Sequence, residues 1–281
     1  MKRLLVTGAS GFMGSRVVNF YRGKYEICAP GHGALDITDE AQVMGRLRDW
    51  RPDYVVHCAA ISDVGRCGRE PERSWKINVD GAVNLAKASA AAGAKCLLCS
   101  SDQVYAGSLR KGPHREDETV NPCNLYGREK LCAEEKCLEA NPDCVHLRLS
   151  WMYDAATLRQ GEHGDFMRTF LEKLRTGEVL RYSTADIRGL TDVNEAAKNL
   201  EAAFGLEGGV YNFGSPNTKS MFDTVYSLFV QLGWDTGRLE KEEDTAPKDL
   251  TMSQEKLQRG GIFFTDTRER LLTVVRENAP F

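Results

Sequence analysis

The glycine-rich segment VTGASGFMG, residues 6–14, constrains the fold of this chain more than any other feature. It follows the apolar run KRLLVTG, typical of a β-strand, and opens GSRVVNFYRG, typical of a helix. Gly8, Gly11 and Gly14 permit a tight turn that lets backbone N–H groups approach a pyrophosphate at the helix N-terminus. A plain tight turn would leave three glycines unexplained, so the segment predicts dinucleotide binding.

The first half of the chain continues this alternation of strands and helices. Apolar runs typical of buried strands are YEICA, DYVVHCAA, KCLLCSS and CVHLRLSW, and helical patterns separate them. Such strands predict an α/β fold with a doubly wound parallel sheet, the Rossmann fold. The rhythm changes after Trp151. We assign residues 1–150 to a dinucleotide-binding domain that also receives roughly 178–215, and 151–177 and 216–281 to a smaller C-terminal substrate-binding lobe.

Charge and cysteine content exclude several classes of protein. The 281 residues carry a net charge of -3 with both signs interspersed, so neither nucleic acid nor an anionic membrane is an expected partner. The apolar run at the N-terminus is too short for an export signal, and we expect a cytoplasmic protein. Nine cysteines are then reduced thiols. Cys96 and Cys99 lie in one strand and point to opposite faces, so we predict no metal site.

A second motif, NLYGREK, places Tyr126 and Lys130 four positions apart, on one face of a predicted helix. This spacing alone is common by chance. However, Ser100, Ser101 and Asp102 follow the strand KCLLC, and chemistry in open α/β sheets collects at the carboxyl ends of strands. A serine hydroxyl, a tyrosine phenol and a lysine ammonium can therefore meet over a nicotinamide ring.

This combination resembles the extended short-chain dehydrogenase/reductase superfamily, and within it most closely the dTDP-4-dehydrorhamnose reductase family. The resemblance rests on TGASGFMG, DITD, RPDYVVHCAA, INVDGAVNLAKA, SSDQVYAG, YGREKLCAEE, LRLSWMY, RGLTDVNEAA and LTMSQEKLQRGGI. It implies an NADPH-dependent reductase of a nucleotide-linked 4-keto sugar. Tyr126 would be the catalytic acid, Lys130 would lower its pKa and bond the nicotinamide ribose, and Ser101 would stabilise the developing alkoxide.

The glycine loop and the resemblance together give a set of expected cofactor contacts. These are Gly8, Ser10, Gly11, Phe12, Met13, Gly14, Asp36, Ile37, Ala59, Ala60, Ile61, Asn78, Ser100, Tyr126 and Lys130. Asp36 could instead belong to the N-terminal region of the next helix, and Asn78 could be a helix N-cap.

The identity of the dinucleotide depends on the end of the second strand. That strand ends without the carboxylate that usually selects NAD. Arg16 and His32 could meet a 2′-phosphate, which favours NADPH and leaves NADH open. Arg16 could equally be a solvated residue of the first helix.

The expected substrate contacts are Ser101, Asp102 and Trp151, although Trp151 could instead be a core aromatic. The chain departs from the family at several positions. Gln103 and Tyr105 replace an aromatic pair, Ser101 replaces a threonine, and STADIRGLTD lacks a proline. These changes leave the catalytic groups intact and leave the sugar open.

Two other functions remain open from the sequence. The regulatory subunit of methionine adenosyltransferase resembles the same reductases and would use the fold only for binding. An NAD-retaining epimerase or dehydratase of nucleotide sugars is the other alternative. A homodimer is the candidate assembly.

Overall fold

The apolar runs of the sequence become strands in the computed structural model, which describes residues 1–154, 165–243 and 248–278. In chain order the strands are β1 (Arg3–Thr7), β2 (Glu26–Cys28), β3 (Tyr54–His57), β4 (Lys95–Ser101), β5 (Val145–Leu149), β6 (Trp151–Tyr153), β7 (Leu180–Ser183), β8 (Asp186–Ile187), β9 (Leu190–Asp192), β10 (Gly209–Phe213), β11 (Leu239–Glu242) and β12 (Lys248–Asp249).

The helical patterns form α1 (Phe12–Tyr21), α2 (Glu40–Trp50), α3 (Val64–Arg69), α4 (Pro71–Trp75), α5 (Gly81–Ala92), α6 (Leu125–Ala140), α7 (Phe166–Thr176), α8 (Val193–Ala203), α9 (Met221–Leu232), α10 (Glu255–Arg259) and α11 (Thr267–Asn278). A π-helical turn, Lys76–Asp80, joins α4 to α5, and a 3₁₀ turn, Asp102–Tyr105, follows β4.

Six parallel strands form the central sheet in the order β10-β5-β4-β3-β1-β2. The chain moves outward from β1 to β2, returns to the other side of β1 at β3, and then continues through β4 and β5. The strand order therefore reverses between β1 and β3, and a crevice opens there at the carboxyl ends of the strands.

Helices cover both faces of this sheet. On one face, Val17 of α1 and Leu200 of α8 pack in the same core as Leu4 of β1. On the other face, Leu85 of α5 shares a core with Leu5, the next residue of β1. Because successive strand residues point to opposite faces, the strands β1 to β4 each contribute to both cores, whereas the apolar residues of β5 and β10 lie in the first core. The predicted doubly wound Rossmann fold is confirmed.

The second half of the chain divides between the sheet and a smaller lobe. Strand β10 joins the large sheet beside β5, whereas β7 pairs with β11. The lobe core contains Phe170, Leu180, Phe229 and Leu271. We therefore propose that the segment rejoining the Rossmann part begins near residue 190 and not near 178. Residues 155–164, 244–247 and 279–281, which the sequence assigns to the lobe, lie outside the described residues.

The nine cysteines are free thiols. Cys96 packs with one core of the sheet, and Cys99 packs against the other, as their positions in one strand predict. Among the helices of the described segments, none is both long and apolar enough to cross a membrane.

Candidate active site

The turn between β1 and α1 has the geometry that a pyrophosphate cradle requires. Gly8 has a φ of 68°, and its carbonyl accepts the Gly11 N–H at 2.9 Å. A Cβ on Gly8 would lie 2.5 Å from the Ala59 nitrogen, and one on Gly14 would lie 2.2 Å from the Gly8 oxygen. Only glycine fits either position, so the turn leaves the exposed N-terminus of α1 open to an anion.

The other predicted residues of this turn differ in exposure. Ser10 is exposed and Phe12 is half-buried, and contact of either with a dinucleotide stays a prediction. The Met13 side chain is buried in the core beneath α1. Met13 can therefore meet a dinucleotide only through its backbone N–H.

Arg16 is not solvated, and its contact with a 2′-phosphate stays a prediction. Its side chain is 5% exposed, and its guanidinium pairs with the Asp154 carboxylate at 2.8 Å. The guanidinium also lies 4.5 Å from the centre of the Phe12 ring. The expectation of a solvated Arg16 is wrong, because the partner that buries it lies far away in the sequence. His32 remains exposed.

Asp36 closes a local turn before α2. Its carboxylate accepts hydrogen bonds from the Thr38 N–H at 2.9 Å and hydroxyl at 2.8 Å, and these bonds lower the pKa of Asp36. The N-cap of α2 is Asp39, which accepts from Gln42. Ile37 is buried against Gly81 of α5. Contact of Asp36 and Ile37 with an adenosine remains a prediction.

Asn78 holds the segment that follows β3. Its amide oxygen accepts the Ile61 N–H at 2.8 Å, and its amide nitrogen donates to the Ile61 carbonyl at 3.0 Å. This pairing fixes the predicted cofactor segment Ala59, Ala60 and Ile61 against the π-helical turn. The alternative of an N-cap is wrong, because Asn78 lies inside that turn and not at the start of α5.

Glu129 is a buried residue that sequence reasoning missed. It is fully buried, and it accepts hydrogen bonds from Asn78 at 2.7 Å and from Ser74 at 2.5 Å. In the sequence it stands between two charged residues of YGREK and resembles a solvated helix position. Only the packing of α6 against α4 and the π-helical turn shows its role.

The predicted catalytic residues meet at the carboxyl end of β4. Ser101 ends that strand, and Tyr126 and Lys130 lie on α6, whose N-cap Asn124 accepts from the Gly127 N–H at 2.8 Å. The Lys130 ammonium donates to the Cys99 carbonyl at 2.7 Å and lies 5.7 Å from the centre of the Tyr126 ring. Each of the three side chains is less than 9% exposed.

Burial dominates the acid–base properties of this group. It raises the pKa of Tyr126, and a hydrogen bond with the Ser101 side chain opposes that rise. It also lowers the pKa of Lys130. The Lys130 ammonium is turned toward the Cys99 carbonyl, and burial outweighs the other influences on the Tyr126 pKa in the protein alone. A lowering of that pKa by Lys130 stays a prediction.

Ser100 points away from the catalytic group. Its hydroxyl donates to the buried Glu134 carboxylate at 2.5 Å, and Glu134 pairs with Arg148 at 2.6 Å. Neighbouring residues of a strand point to opposite faces of the sheet, so the Ser100 side chain lies on the face opposite to that of Ser101. Only the backbone of Ser100 can then contact a ligand beside Ser101.

The predicted substrate contacts Asp102 and Trp151 come from different parts of the chain. Asp102 is buried, which raises its pKa, and its Oδ2 atom has no hydrogen-bond partner within the described residues. Trp151 is 41% exposed, so the alternative of a core aromatic is wrong. The guanidinium of Arg188 lies 5.3 Å from the centre of the Trp151 ring. Arg188, in the segment that lacks the family proline, was not predicted as a site residue.

The chain is similar to known proteins over most of its length. A family model described as the RmlD substrate binding domain matches residues 1–276. The chain is 31% identical over 287 residues to a dTDP-4-dehydrorhamnose reductase of Mycolicibacterium smegmatis. This match covers 98% of this chain and 85% of that protein. It is also 34% identical over 160 residues to methionine adenosyltransferase 2 subunit beta of Xenopus laevis, covering 54% of this chain and 47% of that one.

A solved structure of similar fold is the dTDP-4-dehydrorhamnose reductase of Bacillus anthracis in complex with NADP. It has a TM-score of 0.85 and 24% identity, and the match covers 99% of each chain. That likeness shows the fold. The family model and the relative of M. smegmatis both extend over almost the whole sequence, and the chain therefore belongs to the RmlD substrate binding domain family.

Proposed function

We propose that this protein reduces the keto group of a nucleotide-linked 4-keto sugar with NADPH, and that dTDP-4-dehydrorhamnose is its leading substrate. The observation that carries the proposal is the meeting of Ser101, Tyr126 and Lys130 at the end of β4, next to the β3 segment that packs on the glycine turn. The related reductase of B. anthracis is described in complex with NADP. The turn around Gly8 and Gly14 suits the pyrophosphate of such a cofactor, because a Cβ at either position would collide with the neighbouring backbone and force the turn open.

When bound, NADPH supplies the hydride. Tyr126 donates its phenolic proton to the sugar oxygen, which gains negative charge as the carbonyl is reduced. The raised pKa of Tyr126 keeps this proton in place at neutral pH. The hydroxyl of Ser101 donates a hydrogen bond to the same oxygen and stabilises the alkoxide. Lys130, anchored on the Cys99 carbonyl, holds a positive charge behind the phenol.

The substrate side of the site combines a carboxylate, an indole and a guanidinium. The unpartnered oxygen of Asp102 can accept a sugar hydroxyl, which would offset the cost of burying it. Trp151 offers an exposed ring for an apolar sugar face. Arg188 pairs with Asp186 at 2.8 Å and keeps guanidinium donors for an anionic phosphate.

The experiment is loss of NADPH absorbance with dTDP-4-keto-6-deoxy-L-mannose generated in situ. Tyr126→Phe should lower kcat by about 10²–10⁴-fold, because it removes the proton donor and keeps the ring. Tyr226→Phe is the matched control, since Tyr226 is 43% exposed on α9 and should keep its rate.

A Tyr126→Phe enzyme as fast as the wild type would refute the role of the phenol. NADPH binding without oxidation would refute the sugar and direct the test to other 4-keto sugars.

A binding role is the second candidate, supported by the 34% identity with a methionine adenosyltransferase subunit over about half of this chain. A regulatory subunit would bind the nucleotide and a partner chain and would oxidise no NADPH. Co-purification with a methionine adenosyltransferase catalytic subunit, without any reductase activity, would favour it. The polar groups of the catalytic site, all retained, support the enzyme.

Two further proposals concern the state of the protein in its cell. A cytoplasmic location fits nine thiols that form no disulfide. A homodimer stays a prediction, which analytical ultracentrifugation would test.

A further inference from the structure

Two thiols lie together beneath the candidate active site. Residues His57 of β3 and Leu98 of β4 are paired in the sheet. Cys58 directly follows His57, and Cys99 directly follows Leu98. Their sulfur atoms are 3.6 Å apart, and both side chains are half-buried. A disulfide joins Cα atoms about 4.4–6.8 Å apart. Neighbouring strands of a sheet lie about 4.7–4.9 Å apart, which is within that range.

Each of these cysteines supports a different part of the site. The carbonyl carbon of Cys58 lies 2.7 Å from the position of a Cβ on Gly8, so the glycine turn rests directly on this residue. The carbonyl of Cys99 accepts the hydrogen bond of the Lys130 ammonium at 2.7 Å. The catalytic roles described above use neither thiol.

The two thiols differ in acidity. A hydrogen bond with Cys58 and the positive charge of Lys130 lower the pKa of Cys99, against the effect of burial. The same hydrogen bond, together with burial, raises the pKa of Cys58. Because the Lys130 ammonium is bound to the Cys99 carbonyl, we take Cys99 as the thiol that reacts first and Cys58 as the thiol that reacts with it afterwards.

We propose that Cys58 and Cys99 are a redox-modified pair, which peroxide oxidises to a disulfide that weakens cofactor binding. Formation of the disulfide does not depend on the proposed reductase function. The effect of the disulfide on NADPH binding rests on that proposed function.

The chemistry needs only hydrogen peroxide as the oxidant. The Cys99 thiolate attacks one peroxide oxygen, the O–O bond breaks, and hydroxide leaves and becomes water, which gives a sulfenic acid. Cys58 then loses its proton and attacks the Cys99 sulfur, the S–O bond breaks, and a second water leaves. In total, two thiols are oxidised to one disulfide as one peroxide is reduced to two waters.

The disulfide must change the site because its geometry differs from that of the thiol pair. The sulfur atoms have to approach from 3.6 Å to a bond length of about 2.05 Å. The two side chains have to turn toward each other, and this changes the packing beneath the glycine turn, which rests on Cys58, and beneath the Cys99 carbonyl, which anchors Lys130. We expect NADPH binding to weaken by about tenfold and to recover with dithiothreitol.

The first test maps the crosslink. Protein carrying Cys123→Ser, which removes an exposed thiol, is treated with peroxide, alkylated, digested and examined by mass spectrometry. The expected product is a peptide pair joined through Cys58 and Cys99. Cys96 and Cys144 are the internal control, because both are buried on the other side of the sheet and should remain reduced. Full alkylation of Cys58 and Cys99 after peroxide treatment would overturn the proposal.

The second test identifies the order of events and the consequence. In Cys58→Ala, the sulfenic acid on Cys99 cannot be resolved and should be labelled by dimedone, whereas Cys99→Ala should show no label at position 58. NADPH affinity is measured by fluorescence titration before and after peroxide treatment. Peroxide should lower the affinity of the parent protein, which keeps both Cys58 and Cys99, and should leave the affinity of Cys99→Ala unchanged. A crosslinked parent that binds NADPH as tightly as the reduced protein would overturn the effect on the cofactor.

Discussion

Lys130 is the residue on which the electrostatics of the site most depends. It is 5% exposed and carries its charge between the sheet and α6, where two histidines are also buried. Thr7 hydrogen-bonds His57 at 2.7 Å, and His146 lies in β5. Burial, then the charge of Lys130, lowers the pKa of each histidine to about 3. The native protein therefore holds both rings neutral.

This arrangement predicts a loss of stability in mild acid. The unfolded chain binds a proton on each histidine below pH about 6.5, whereas the folded protein does so only near pH 3. Above pH about 6.5 neither state binds these protons, so the free energy of unfolding keeps its full value. Below that pH it falls by about 1.4 kcal/mol per histidine for each pH unit, because only the unfolded chain takes up the protons. Urea unfolding at pH 7.5 and 5.5 measures the slope. His146→Leu should make it shallower, and His32→Gln, at an exposed position, should not. Equal slopes in the wild type and His146→Leu would contradict the assignment.

At this scale the sequence predicts residue types and not their partners. The spacing of Tyr126 and Lys130 and the serine at the end of β4 predict that these side chains lie together, as they do, and their catalytic role stays a prediction. Glu129 and Arg188 escape prediction because the groups that surround them come from distant segments. Arg16 illustrates the same limit: its partner Asp154 is separated from it by most of the Rossmann domain.

The strand–turn–helix element at the N-terminus gives a direct test of the cofactor site. In Gly8→Ala a Cβ would collide with the backbone of Ala59 at 2.5 Å, so the turn must open and NADPH binding should be lost. Gly23→Ala is the control, because Gly23 also has a positive φ of 80° but no atom lies within 4 Å of the added Cβ. It should cost about 1–2 kcal/mol of stability and leave NADPH affinity unchanged. Calorimetric titration measures both affinities, and retained binding in Gly8→Ala would contradict the cradle.

Strand β5 and helix α6 are joined by a buried ion pair. Arg148 and Glu134 are each 3% exposed and 2.6 Å apart. Arg148→Met leaves the carboxylate buried without its partner and should lower the free energy of unfolding by about 3–5 kcal/mol. Arg181→Met removes an exposed pair with Glu240 and should cost less than about 1 kcal/mol. Urea denaturation measures the free energy of unfolding of both variants. Similar losses in Arg148→Met and Arg181→Met would show that burial does not determine how much each ion pair contributes to stability.

Elements with strong apolar patterns are predictable here, and short irregular ones are not. The strands of the large sheet each read as an apolar run. The strands β8 and β12 are two residues long, which is too short for any periodicity. The π-helical turn around Asn78 resembles ordinary helix in the sequence, because its departure depends on contacts with Ile61 and Glu129.

The whole molecule combines a Rossmann domain with a lobe formed by later segments of the chain. The alternation of strands and helices predicts the first part well. The lobe boundary is harder to predict, because β10 returns to the large sheet whereas β7 pairs with β11. The candidate site draws on both parts, with Asp102 after β4 and Trp151 and Arg188 from the segments that lead into the lobe.

The most direct test of the central claim is the fate of the hydride. NADPH deuterated at the transferable position of the nicotinamide is incubated with the protein and dTDP-4-keto-6-deoxy-L-mannose, and the sugar is examined by NMR. We predict deuterium at C4 of a reduced 6-deoxy sugar, formed in step with NADPH oxidation. A reduced sugar without deuterium, or a keto sugar that remains unchanged beside bound NADPH, would contradict this account.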